Sequence, residues 1–133
     1  MTPDDRFPAA AGLRWAKVSG GLSRASVWRG DDAGGVPRAA MKGLPAGFPA
    51  DQLRRVHDWM QAAGLLAPTV FRTADGDTVA VSPFDGRVWE CLGWVPGEPV
   101  LGRKPTQHDG WALGVACSAL AALHLAWSRF AQP

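Results

Sequence analysis

The chain has 133 residues, 47% of them hydrophobic and 20% charged, a balance that suits a folded domain and excludes a disordered tail. Its formal net charge is only +2, and Arg and Lys are scattered from Arg6 to Arg129 among Asp residues, so no basic stripe marks a nucleic-acid surface. Cys91 and Cys117 lie in apolar stretches without metal-ligand spacing. The first eight residues carry two Asp and two Pro and no apolar run, unlike a secretory signal, so a cytoplasmic protein is expected.

In chain order, "LRWAKV" (13–18) alternates apolar and polar residues at the period of a half-buried strand and stops at Gly20-Gly21. "SVWRG" (26–30) reads as a second strand, "DDAGG" as a tight turn, and "PRAAMKGLP" (37–45) as a third strand with Lys42 near its end. These three form an antiparallel meander. From Phe48 to Leu65 the period changes: Leu53, Val56, Trp59 or Met60, and Ala63 recur at three- and four-residue intervals, which predicts an amphipathic helix capped by Gly64. Two β-rich runs then flank Ala74-Asp75-Gly76-Asp77, a hairpin by its Asp-Gly turn, and a further strand spans Arg87 to about Leu92 before Gly93 and Pro96-Gly97. The last element is a long apolar helix from about Thr106 to Phe130, with Leu113, Ala116, Leu120, Leu123, Trp127 and Phe130 on one stripe. Gly114, Ser118 and His124 interrupt it, and its apolar run is shorter than a membrane span needs, so a buried helix is expected and no membrane partner.

Two features carry candidate chemistry. In "GGLSRAS" (20–26), Gly20 and Gly21 let backbone pass close to a ligand, and Ser23 and Ser26 offer hydroxyls to phosphate oxygens. Two elements later, the Lys42 ammonium is placed to neutralise phosphates held under that turn. Neither the Walker pattern nor the dinucleotide fingerprint is present, since both require a helix to follow the glycines at once.

The order of glycine-rich hairpin, strand lysine, helix and strands ending in a short connector is that of a protein-kinase-like small lobe. Over Leu13 to Phe130 the chain resembles the aminoglycoside phosphotransferase and choline-kinase-like family. "GGLSRASVWRG" is similar to its nucleotide loop, "AAMKGLP" to its lysine strand, "RVWECLGWVPGEP" to its strand and hinge, and "ALAALHLAW" to its long helix. The resemblance implies an α+β fold with an antiparallel sheet of five or six strands, one packed helix and a long apolar C-terminal helix. Residues 1–97 would be the small lobe and 98–133 the exit from the hinge and the first helix of a large lobe. It implies ATP with Mg as cofactor, Gly20, Gly21 and Ser23 over the triphosphate, Lys42 on the phosphates, Leu92 at the back of the adenine pocket, and the backbone of Gly93, Trp94 and Val95 on adenine. Trp89 and Trp94 read as packing residues by their side chains.

In this fold a helix Glu orients the lysine, but no Glu lies between Phe48 and Leu65. Asp58, mid-helix, is the candidate carboxylate, and Glu90 becomes one only if its strand turns it inward. His57 and His124 read as interior or boundary residues. The family's catalytic loop, with its His-Gly-Asp and its magnesium ligands, follows the long helix, where this sequence has only Ala131, Gln132 and Pro133. The expected function is therefore the ATP-binding N-terminal part of a small-molecule phosphotransferase, inactive by itself. The last helix would be covered by a second copy or a separately encoded large lobe. The alternative is a non-catalytic nucleotide- or protein-binding module on the same scaffold.

Overall fold

A computed structural model describes residues 4–19, 25–64, 67–97 and 109–130. The fold is α+β. One antiparallel sheet contains β1 (Arg14–Val18), β2 (Ser26–Asp31), β3 (Pro37–Leu44), β4 (Ala80–Val81) and β5 (Val88–Gly93), in the order β1-β2-β3-β5-β4. The helices are α1 (Ala50–Ala63) and α2 (Asp109–Phe130).

Cross-strand register settles which side chains share a face, because directly opposed residues in an antiparallel pair lie on the same side of the sheet. One row is Lys17, Trp28, Met41 and Cys91, and the next on that side is Trp15, Gly30, Ala39 and Gly93. Apart from the exposed Lys17 on edge strand β1, these rows are apolar and covered. Phe7 and Ala10, from two short 3-10 turns before β1, pack against Ala39, Met41, Ala80, Trp89 and Cys91, and every member of the cluster is buried. Burying an aromatic or a methionine of this size contributes roughly 1.5–3 kcal/mol apiece. Phe7 was outside the sequence-based core because nothing periodic surrounds it.

The opposite side carries the row Val18, Val27, Lys42 and Glu90 and the row Ala16, Arg29, Ala40 and Leu92. Only part of it is covered. α1 lies over the β3–β5 end, where Leu53 joins Leu44, Val79 and Val88, with Phe48 and Ala50 at the margin. On β1, by contrast, Ala16 and Val18 are exposed.

Gly64 ends α1 with φ +59°, a conformation that glycine adopts without a Cβ penalty, as its position after the periodic run predicts. The buried stripe follows the predicted one at Leu53 and Ala63 but not at Val56, and Trp59 and Met60 are only half-buried. Leu53, His57 and Ala63 face the sheet and Val56 is exposed, so a histidine occupies a position that hydrophobicity alone assigned to valine.

The expected hairpin around Asp75-Gly76 is also corrected. Its turn forms, with Gly76 at φ +86° and Thr73 N–H donating to Asp77 O at 2.7 Å. Its flanks do not pair with each other. Val70 bridges Leu92 and Phe71 N–H donates to Cys91 O, while Ala80 and Val81 pair with Trp89 and Val88. Both flanks therefore lie end to end along one edge of β5, whose unpaired backbone groups compete successfully with those of the hairpin partner. The intervening loop is tied to α1 by Arg54, which donates to both carboxylate oxygens of Asp77 at 3.0 and 2.8 Å.

α2 has 22 residues, and no helix among the described residues is long and apolar enough to cross a membrane. The expectation of a buried apolar helix is not met by the side chains described. Val115, Ala116, Leu120 and Leu125 are exposed and only Leu123 is half-buried; of the other predicted stripe positions, the side chains of Leu113, Trp127 and Phe130 lie outside the described set.

Candidate functional site

Lys42 sits near the C-terminal end of β3, half-buried, on the sheet face that α1 partly covers. Its neighbour on β5 is Glu90 and its neighbour on β2 is Val27. One residue pair along, Ala40 and Leu92 stand side by side on the same face, both half-buried. Val27, Ala40 and Leu92 thus make an apolar floor beside a cation, open towards the exposed Val18 on β1. Sequence reasoning had singled out Leu92 but missed Val27 and Ala40, although the alternation in "SVWRG" and "AAMK" places both on the lysine side.

Glu90 is turned inward. It is 6% exposed, and its Oε2 accepts a hydrogen bond from Nε2 of His57, which is fully buried on α1. A carboxylate at this depth requires a partner, because burying a lone charge costs several kcal/mol. Nδ1 of His57 has no hydrogen-bond partner. With the Nε2 proton donated to Glu90, Nδ1 is a bare acceptor, the less costly group to leave unpaired. Asp58, the helix carboxylate favoured by the sequence, is exposed and points away from the sheet, one residue past the buried His57. Asp51 is also exposed and pairs with Arg54 at 2.7 Å. Neither carboxylate of α1 therefore faces Lys42. Among the described residues Lys42 has no ion pair of its own, and Arg29 on the same face is held by Asp31.

The connector after β5 is partly committed to the fold. Gly93 N–H donates to Thr69 O at 2.7 Å and Trp94 N–H to Arg38 O at 3.0 Å. Val95 is exposed, and its N–H has no acceptor among the described residues. Of the three backbone donors expected to meet a ligand, Val95 is the one available.

Gly20, Gly21 and Ser23 lie outside the described residues. Ser26 is described and does not join Lys42. It opposes Gly43 on the other side of the sheet, where its Oγ accepts a hydrogen bond from Arg87 at 3.0 Å. Arg87 also donates to Gly43 O at 3.1 Å and lies 5.6 Å from the ring centre of Trp89. It pins the first residue of β2 to β3, just beyond the glycine-rich segment. Trp89 is buried in the apolar core, as read from the sequence, and Cys91 beside it is inert, its thiol pushed up to about 12 by burial. Among the described residues no group of three or more His, Cys, Asp or Glu could hold a metal ion.

No known protein family, no curated protein and no solved structure matches this chain.

Proposed function

We propose that this chain binds a nucleoside triphosphate as the protein-kinase-like small lobe of a small-molecule phosphotransferase of the aminoglycoside phosphotransferase type. One observation carries the reading: Lys42 shares a partly open sheet face with Val27, beside it in its own row, and with Ala40 and Leu92 in the next row, one strand away from a buried carboxylate. A purine needs an apolar surface and one or two backbone hydrogen bonds, whereas a polyphosphate needs a fixed cation. Val27, Ala40 and Leu92 suit the first, with Val95 N–H at the connector as donor to the ring edge. Lys42 suits the second, together with the glycine-rich segment that carries Gly20, Gly21 and Ser23. The exposed face of β1 is where a flat base has room to enter.

Magnesium would supply charge neutralisation at the phosphates, but the residues described here offer it no built site. Nucleotide binding is the activity we assign to these residues. Titration calorimetry with ATP and magnesium tests the reading. Wild-type protein should release heat that saturates, and Lys42→Met should weaken binding by at least about 10-fold, the usual cost of losing one partner of a charge contact. No heat with millimolar nucleotide overturns it.

Val115, Leu120 and Leu125, exposed on α2, favour a further element in the reading, a protein partner over that helix. A second copy of the chain or a large lobe would serve. Light scattering on the purified chain separates a dimer from a monomer.

A further inference from the structure

We infer that Glu90, held from α1 by His57, is the positioning residue for Lys42, so that the helix sets the lysine through a strand carboxylate and not through one of its own. Three observations meet here. The register makes Lys42 and Glu90 direct neighbours on one face, where opposed Cβ atoms stand about 4.5–5.5 Å apart. His57, fully buried, takes one carboxylate oxygen of Glu90 and fixes the side chain on the lysine side of β5. The carboxylates of α1, Asp51 and Asp58, are exposed.

Chemically, the arrangement is a relay of position. A Glu on a strand beside the lysine keeps the ammonium near the face and away from bulk water, and His57 prevents that carboxylate from swinging out. Movement of α1 would then be felt at Lys42 through the histidine. The other charged groups of the face do not compete, since Arg29 is engaged by Asp31 and Arg54 by Asp77 and Asp51.

The test has one arm independent of nucleotide and one that rests on the proposed function. In the first, the side-chain Nζ signals of Lys42 and Lys17 are followed by NMR in the ATP-free chain, with Lys17 on the opposite face as control. Both Glu90→Gln and His57→Leu should displace the Lys42 signal and leave that of Lys17 in place. His57→Gln, whose amide nitrogen stands where Nε2 stood, should restore the wild-type position. In a Glu90→Gln background, His57→Leu should have no further effect on Lys42. A Lys42 signal in soluble wild-type and His57→Gln protein that differs as much as after His57→Leu overturns the inference without need of any variant at Glu90.

In the second arm, Glu90→Gln, which removes the negative charge beside Lys42, should weaken ATP binding by about 10-fold, and by less than about 2-fold when Lys42 is already Met. Equal losses in the two backgrounds would show that Glu90 does not act through Lys42 and overturn the inference, with nucleotide binding intact. If the wild type binds no ATP, the functional reading falls and the NMR arm alone decides the positioning role.

Discussion

The two faces of the sheet solve the burial problem differently. On one, Phe7, Met41, Trp89 and Cys91 form an all-apolar cluster closed by the N-terminal turns. On the other, α1 covers only part of the surface, and the layer between helix and sheet includes a buried histidine–glutamate pair beside a half-buried lysine. An apolar layer is the cheaper way to dock a helix, because a buried carboxylate recovers its desolvation cost only through well-placed hydrogen bonds. The α1 side therefore carries a desolvation cost that the closed face does not.

The largest expected effect breaks the closed face. Phe7→Ala removes a fully buried ring from a segment with little secondary structure, and should destabilise the chain by about 3–5 kcal/mol in urea denaturation. A loss below 1 kcal/mol would mean that the N-terminal turns do not close the core.

On the helix side, His57→Leu should cost about 3 kcal/mol, since it leaves the Glu90 carboxylate buried without a partner. The double variant His57→Leu/Glu90→Met should recover most of that loss, because two apolar side chains of similar volume avoid the desolvation altogether. If the double variant is as unstable as the single one, the pair is itself a structural necessity and the contrast between the faces disappears.

Gly43→Ala sharpens the contrast at a single residue. Its new Cβ would stand 2.8 Å from the ring of Trp89 on the closed face. Overpacking should cost about 1–3 kcal/mol by thermal or urea unfolding. The neighbouring Lys42→Met, on the open face, should change stability by no more than about 0.5 kcal/mol.

Much of this was legible in the sequence. Strand alternation and turn glycines placed β1, β2, β3 and β5 to within a residue or two, and the three- to four-residue period with Gly64 placed α1. Lys42 and Leu92 were identified with their face unassigned. What failed depended on long-range competition. Beyond the turn closed by Thr73 and Asp77, the 69–71 segment pairs with the edge of β5 and not with the other flank of its own turn, because β5 offers that edge and local propensity cannot register it. His57 was read as an interior or boundary residue and is buried, but its partner was not foreseen; Asp58 was taken as the helix carboxylate because helical periodicity gives an angle but not which neighbouring residue wins the buried slot. Only the register of β5 turns Glu90 inward and so makes His57 the residue that α1 presents to it.

A pH-dependent effect concerns the loop that ties α1 to the rest of the fold. Asp77 accepts two hydrogen bonds from Arg54 and further ones from the backbone of Thr78 and Val79, and the Arg54 guanidinium holds its carboxyl down at about 2, below the ordinary 3.8. A carboxyl whose folded pKa is depressed contributes stability fully present above its unfolded pKa and lost as pH falls through the folded one. The contribution should therefore be complete above about pH 5 and vanish between about pH 4 and 2. Because Asp77 retains solvent contact, screening reduces it to about 1 kcal/mol. Asp77→Asn should remove that part of the acid sensitivity, leaving a stability difference from wild type at pH 6 that closes by pH 2. A difference that stays constant over this range would assign the effect to lost backbone capping, and α1 would then be held over the sheet by its apolar contacts and the His57–Glu90 pair without help from the Arg54 bridge.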